Sequence, residues 1–233
     1  MARKKKNDVD ELGLIGEEMN FAGKEAYNLL RTNLLFSVRR EGRNARVVGI
    51  TSSSHGEGKS LTTLNLGYSL ATTGLRVLLI ECDMRLPTIG KKLGMKDNVG
   101  LSNILAGLNV DDSVFHKDVL TQGLTVLLAG AIPPNPSELL GSKAMEAAVE
   151  QMSKYYDYIL LDLPPVGAVS DALVACKLAD SMVVVVRQDV TTSADLTGTL
   201  RQLKYVDASI AGIVLNGASA KRSAYKKYGY YKQ

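Results

Sequence analysis

An α/β fold, with a parallel β-sheet flanked by helices on both faces, is predicted by three features of this 233-residue sequence. Six short segments rich in Val, Leu and Ile recur along it, at 45–51, 76–82, 124–128, 158–163, 181–187 and 210–215. They are nearly continuous in apolar residues rather than alternating, as strands covered on both faces must be. Helix-length stretches separate most of them, which is the strand–helix alternation of a parallel sheet. A composition of 45% hydrophobic and 22% charged residues can build a core and is too apolar for a disordered chain.

From the N-terminus, residues 1–20 are polar and weakly patterned and are expected to form a flexible arm. From Phe21 to about Arg40, the apolar residues Ala26, Leu29, Leu30, Leu34 and Val38 recur at three- and four-residue spacing, as on one face of a helix. In Asn135-Pro136-Ser137-Glu138, Asn suits the N-cap, Pro the first helical position, and Glu can close a capping box. After Asn216 the pattern gives way to Gly, Ala, Ser, Lys and Tyr. Residues 217–233 are therefore expected to be a flexible tail, leaving 21–216 as the folded domain. No apolar run approaches the roughly 20 residues of a membrane span, and no apolar stretch follows the basic start as in a signal peptide. Two cysteines, Cys82 and Cys176, make no disulfide framework, and a reducing, cytoplasmic location is expected.

The formal net charge of +4 is unevenly spread. Residues 1–6 carry four basic groups, and the tail carries five: Lys221, Arg222, Lys226, Lys227 and Lys232. Setting those nine aside leaves 19 of the 28 basic groups against 24 acids, a body near −5 with positive ends. Such ends suit docking on the protein itself, on a neighbouring subunit or on an anionic surface. A solvated charge run is the plainer alternative.

Directly after the first strand stands Ser53-Ser54-His55-Gly56-Glu57-Gly58-Lys59-Ser60, with a helical pattern from Leu61. The eight-residue phosphate-loop pattern has Gly where Ser53 stands, and its Gly-Lys-Ser ending is kept. In such a loop, backbone N–H groups curl round phosphate oxygens and the helix N-terminus adds positive potential. Lys59 would neutralise the β- and γ-oxygens and the Ser60 hydroxyl would hold Mg²⁺. His55 has no neighbouring ligand type that would suggest a metal site.

Two carboxylate segments point to the same place. Glu81, Asp83 and Arg85 occupy alternate positions at the end of one strand, and would project to one side if the strand continued. Asp162 ends another buried run, before Leu163-Pro164-Pro165. Ligands of open α/β sheets sit outside the carboxyl ends of the strands. Lys59, Ser60, Glu81, Asp83 and Asp162 are therefore expected to converge on one nucleotide–Mg²⁺ site.

At these residues the sequence resembles the bacterial tyrosine kinase family, in particular its short cytoplasmic members of Gram-positive capsule and exopolysaccharide production. The resemblance rests on Gly56-Glu57-Gly58-Lys59-Ser60, the acid-x-Asp-x-Arg segment at 81–85, Asp162-x-Pro164, Pro-Pro-Asn-Pro-Ser-Glu-Leu-Leu at 133–140 and a tyrosine-rich C-terminus. It implies a phosphate-loop NTPase fold of the deviant Walker type, with ATP and Mg²⁺ as cofactors. It also implies transfer of the ATP γ-phosphoryl group to Tyr225, Tyr228, Tyr230 and Tyr231, between subunits. Tyr225 lies nine residues beyond Asn216, a reach of roughly 30 Å when extended. Ser54 to Leu61, Arg85 and Asn216 would line the nucleotide. Asn216 would contact adenine or cap a turn, and Arg85 would pair with one of the site carboxylates. Asp83 and Asp162 would hold the metal with Ser60, directly or through water. Glu81, where the family has Asp, would accept or orient the tyrosine proton. Of the family's Glu-x-x-Arg-x-x-Arg assembly motif, Glu25 and Arg31 are present and the middle position is Asn28. Implied partners are copies of the chain, in a ring or another oligomer, a membrane-embedded adaptor of the polysaccharide co-polymerase type, tyrosine-bearing substrates and an opposing phosphatase. The adaptor would bring the kinase to the inner face of the membrane.

Three other classes compete. A partition-type ATPase of the Min and Par kind would carry a signature Lys where Ser54 stands. A nucleic-acid module could use the Lys- and Tyr-rich tail, but the tail is short and the body acidic, so no nucleic acid is expected. A eukaryotic-type kinase is excluded, since neither His-Arg-Asp nor Asp-Phe-Gly occurs.

Overall fold

The computed structural model describes residues 14–37, 44–96, 98–108 and 110–218. Its centre is a seven-stranded sheet in the order β3-β4-β2-β5-β1-β6-β7. The strands are β1 (Arg46–Ser52), β2 (Val77–Glu81), β3 (Phe115–His116), β4 (Leu124–Leu127), β5 (Tyr158–Asp162), β6 (Ser181–Arg187) and β7 (Ile210–Asn216). Every pairing is parallel except that of β3 with β4. All six expected strands are present; the two-residue β3 is too short to leave a pattern in sequence.

The helices are α1 (Phe21–Ser37), α2 (Lys59–Ala71), α3 (Ile89–Leu93), α4 (Leu101–Leu105), α5 (Pro136–Leu140), α6 (Lys143–Met152), α7 (Asp171–Ala175) and α8 (Ser193–Tyr205). Successive strand residues feed opposite cores. Leu78 and Ile80 of β2 join Met145 and Val149 of α6 and Leu203 of α8. Val77 and Leu79 join Leu64, Leu66 and Leu70 of α2 and Leu34 of α1. Burial on both sides explains the unbroken apolar runs. The sheet also fixes the site's position. From β1 the chain passes through α2 to β2, beyond β5, whereas from β5 it passes to β6 on the other flank of β1. The strand order reverses there, where open α/β sheets hold their ligands.

Three local expectations are corrected. Residues 14–20 belong to the fold and not to an arm. Asn65 of α2 accepts the Gly16 N–H (2.9 Å) and donates to the Leu14 carbonyl (3.1 Å), and Met19 is buried. The face that α1 turns inward runs through Tyr27, Leu30, Arg31 and Leu34, while Ala26 and Leu29 are exposed. A count of apolar residues overlooks Tyr27 and Arg31, whose long side chains pack inward; the Arg31 guanidinium donates to the Ser69 carbonyl (2.6 Å) and hydroxyl (3.0 Å). Val38 lies outside the described residues. Finally, α5 starts at Pro136 as expected, but Asn135 donates its side-chain amide to Glu138 (2.6 Å) instead of capping the backbone.

Candidate active site

From Ser52 the chain turns through 53–58 into α2, whose first residue is Lys59. Glu57 shapes this loop from inside. Its buried carboxylate accepts the N–H groups of Ser53 (2.7 Å) and Ser54 (2.9 Å) and the Thr191 hydroxyl. Two residues hold the loop from outside, Arg187 donating to the Gly56 carbonyl (2.9 Å) and Asn216 to the Glu57 carbonyl (2.9 Å). Gly58 has a left-handed φ of +95°, and a Cβ there would lie 1.9 Å from Asn216 Nδ2, so the turn into α2 requires glycine. Ser53, in the place of the usual Gly, is buried and accepts the Thr199 hydroxyl (3.0 Å).

At the foot of the loop, Lys59 Nζ lies 2.9 Å from Asp83 Oδ2 and 3.5 Å from Asp162 Oδ2. The Ser60 hydroxyl donates to Asp162 Oδ2 (2.6 Å) and Thr63 donates to Oδ1 (3.2 Å). Thr88 donates to the Ser60 hydroxyl (3.0 Å) from across the site. Lys59, Ser60, Asp83 and Asp162 are all buried. Burial works to lower the Lys59 pKa, but the charges of Asp162 and Asp83 outweigh it and hold the ammonium above its ordinary value. Burial raises Asp162, against the opposing charge of Lys59.

A cavity of about 890 Å³ opens over this cluster. The phosphate loop, Arg187 and Asn216 line it together with Leu86, Pro87, Thr88, Lys91, Lys92 and Ile132. His55, Gly56, Gly58, Leu61 and Arg85 also reach it, whereas Ser54 and Glu57 do not.

Two sequence expectations fail here. The alternation of Glu81, Asp83 and Arg85 ends with the strand, because β2 stops at Glu81. The Glu81 carboxylate is buried and accepts the N–H groups of Thr88 and Ile89 (both 2.6 Å) and of Ala129 (3.3 Å). It does not line the cavity and anchors the start of α3. Burial raises its pKa, opposed by the Ile89 amide. Arg85 pairs with Asp171 (2.8 and 3.0 Å) instead of Glu81, Asp83 or Asp162.

Sequence reasoning missed Thr63, Thr88, Asp171, Lys91, Lys92 and Arg187. Arg187 alone left a signal, as the charge that closes the apolar run of β6. Glu25 accepts from the Asn28 side chain (3.0 Å), so both it and Arg31 are engaged within the chain. Tyr225, Tyr228, Tyr230 and Tyr231 lie outside the described residues.

The donor set fits a nucleotide-bound magnesium ion. Two carboxylates and a serine hydroxyl are hard oxygen ligands, and the loop leaves backbone room for phosphates. Among the described residues no group of three or more His, Cys, Asp or Glu gathers as a metal cage. That suits an ion whose remaining ligands come from phosphate and water. No helix of the described residues is long and apolar enough to cross a membrane.

Fold and loop together define a phosphate-loop nucleotide-binding protein, and comparison with known proteins narrows the class. A family model described as an AAA domain matches residues 45–212. The chain is 35% identical over 207 residues to tyrosine-protein kinase YwqD of Bacillus subtilis, covering 89% of this chain and 85% of that one. Tyrosine-protein kinase CpsD of Streptococcus agalactiae is 32% identical over 226 residues, 96% of each chain. Putative tyrosine-protein kinase EpsB of Ralstonia solanacearum is 34% identical over 211 residues, and the chain spans 28% of its length. The kinase domain of the Escherichia coli tyrosine kinase ETK superposes with a TM-score of 0.79 at 30% identity, covering 86% of this chain and 77% of that one. The chain belongs to the bacterial tyrosine-protein kinase family. The septum site-determining protein MinD of Pyrococcus horikoshii (TM-score 0.62, 24% identity, 76% of this chain and 72% of that one) shares the fold alone.

Proposed function

We propose that the chain transfers the γ-phosphoryl group of ATP to tyrosine hydroxyls, in the control of capsular or exopolysaccharide synthesis. The acceptors are Tyr225, Tyr228, Tyr230 and Tyr231 of a neighbouring subunit and then tyrosines of other proteins. The observation that carries this is the buried Lys59 ammonium, gripped by Asp83 and Asp162 beneath a phosphate loop in a chain of the tyrosine-kinase family.

Phosphoryl transfer has a loose transition state, so positioning and charge stabilisation do most of the work. Lys59 swings from its carboxylates to the β- and γ-oxygens. Ser60 and Asp162 would hold Mg²⁺, with Asp83 reaching it through water, and the ion would neutralise charge on the phosphate oxygens. Asn216 and Arg187 keep the loop in shape at the nucleoside end. The phenol oxygen bonds to the γ-phosphorus as the bond to the ADP oxygen breaks. Asp83, the one carboxylate among the described residues lining the cavity, takes the phenol proton. Glu81 serves as a positioning residue, fixing α3 and, through Thr88, the far wall.

Residues 217–233 are the substrate tail. At +5 it docks on an acidic neighbouring subunit. Four phosphates add on the order of −6 to −8 charges and turn attraction into repulsion. A membrane-embedded adaptor would hold the kinase at the cytoplasmic face, and a phosphatase would reset the tail.

The test is incubation of the full chain with γ-labelled ATP and Mg²⁺, with and without the adaptor's cytoplasmic segment, followed by phosphotyrosine mapping. Label is expected on the tail, with none after Lys59→Met or after truncation to residues 1–220. ATP hydrolysis without phosphotyrosine would favour a nucleotide-switched scaffold instead.

A further inference from the structure

The hydrogen bonds of the Ser60 hydroxyl can be counted. It donates to Asp162 Oδ2 (2.6 Å) and accepts from Thr88 Oγ1 (3.0 Å) and from Lys59 Nζ (3.3 Å). A hydroxyl has one proton and two lone pairs, so its whole capacity is spent. A metal ion can bind this oxygen only where one of the two incoming donors leaves. Lys59 is the donor with another destination, because phosphate oxygens attract it when a nucleotide arrives. Thr88 has its backbone fixed by Glu81, so its bond can remain.

Thr88 also departs from the habit of its residue type. It stands at the N-cap of α3, where a threonine hydroxyl ordinarily turns back to accept an N–H of the first turn. Thr192 does so at the start of α8, accepting the Asp195 N–H (3.1 Å). Thr88 makes no such bond. Glu81 takes the N–H groups of Thr88 and Ile89 in its stead, and the Thr88 hydroxyl meets Ser60 at the cavity. A local rule given up beside a cluster of candidate ligands, with another residue supplying the missing acceptor, points to use outside the helix.

We propose that Thr88 is a positioning residue for the nucleotide-bound magnesium ion, fixing the Ser60 hydroxyl so that the lone pair vacated by Lys59 is the one offered to the metal. This role rests on the kinase function proposed above and adds a residue to its metal site. Asp162 takes the Ser60 proton and Thr88 occupies one lone pair, which leaves a single lone pair for the ion. Without the Thr88 hydroxyl, only the bond to Asp162 orients that oxygen. Loss of an outer contact of this kind costs about 10–100-fold in metal affinity.

The experiment measures metal and nucleotide binding separately on the full chain, with ADP so that no phosphoryl group is transferred. Mn²⁺, which takes the same oxygen ligands as Mg²⁺, is titrated by electron paramagnetic resonance at saturating ADP. ADP alone is titrated by calorimetry in EDTA. Thr88→Val keeps the shape and removes the hydroxyl, so the Kd for Mn²⁺ should rise about tenfold or more while ADP in EDTA binds as to the native chain. Thr88→Ala, which brings in no bulk, should repeat that result. Thr88→Ser keeps the hydroxyl and should hold the Kd for Mn²⁺ near the native value. An Mn²⁺ affinity indifferent to the hydroxyl overturns the role of Thr88, as does failure of the Ser variant to preserve it. Equal losses of ADP affinity with and without metal overturn it as well, since Thr88 would then be only part of the cavity lining. A native chain that binds no ADP, or no Mn²⁺ beside it, overturns the kinase function instead, which separates the two failures.

Discussion

On one wall of the cavity the phosphate loop is fixed from several directions. Glu57 holds it from within, Arg187 and Asn216 grip consecutive carbonyls, and β1 and α2 continue it at either end. Elsewhere in the lining, the start of α3 is held by Glu81, which accepts the N–H groups of Thr88 and Ile89, by the Thr88 hydroxyl on Ser60 and by the burial of Ile89, and five helical residues follow. The loop is thus clasped by two distant strands, whereas the backbone N–H groups that open α3 depend on one carboxylate. Firmness at the loop matters most, since pre-organisation is worth most where phosphates must be aligned.

The largest effect is expected from breaking the weaker wall. Glu81→Ala leaves the N–H groups of Thr88 and Ile89 without their acceptor, at a cost of about 3 kcal/mol. Denaturant unfolding measures it, and activity should fall with the loss of α3. Glu81→Gln separates support from proton transfer. Its amide oxygen still serves the two short bonds, so about 1–2 kcal/mol is lost and phosphotyrosine formation stays within about tenfold. A catalytic base replaced by Gln would instead lose about 10²–10⁴-fold at nearly full stability. The pH dependence follows with a definite sign. Burial raises the folded-state pKa of Glu81 above 4.5, so its contribution is complete below that pH and is lost as pH rises through the raised value. Gln should remove that part of the slope.

The stronger wall is tested at Gly58. Gly58→Ala places a methyl group against Asn216 Nδ2 at a left-handed φ of +95°. A loss of about 2 kcal/mol and a rise in KM for ATP are expected. Adding Asn216→Ala removes the clash and not the backbone strain, so the double variant should recover part of the loss. Purely additive losses would mean that the Asn216 contact does not shape the loop.

The same contrast shows what the sequence made visible. Strands, phosphate loop and the grouping of Lys59, Ser60, Asp83 and Asp162 follow from local runs and strand ends, and they were legible. Glu81 was misplaced because alternation holds only while a strand continues, and β2 stops at that residue. Arg85 was given the wrong partner because Asp171 lies 86 residues away, beyond any local rule. The clasp by Arg187 and Asn216 was hidden for the same reason, since each grips the loop from more than 130 residues away. The strap at 14–20 looked loose because Asn65, which binds its Gly16 N–H and Leu14 carbonyl, lies 49 and 51 residues along the chain from them.

The smallest expected effect asks whether the rigid wall extends along α2 to that strap. The Tyr68 hydroxyl donates to Glu17, which also pairs with Lys24 (2.7 Å). The hydrogen bond to Glu17 is the main reason that the Tyr68 phenol is pushed up from 10.0 to about 12. A raised phenol contributes its stability in full below pH 10 and loses it as pH rises through 12. Ultraviolet titration of the native chain minus Tyr68→Phe should show a single phenol ionising near the upper value. Because Glu17 is exposed and solvent screens the contact, Tyr68→Phe should lower Tm by no more than about 3 °C. KM for ATP should not change, because the loop lies at the opposite end of α2. A rise in KM would show that the strap and the phosphate loop form one mechanical unit, and the rigid wall would then reach further from the cavity than its own hydrogen bonds.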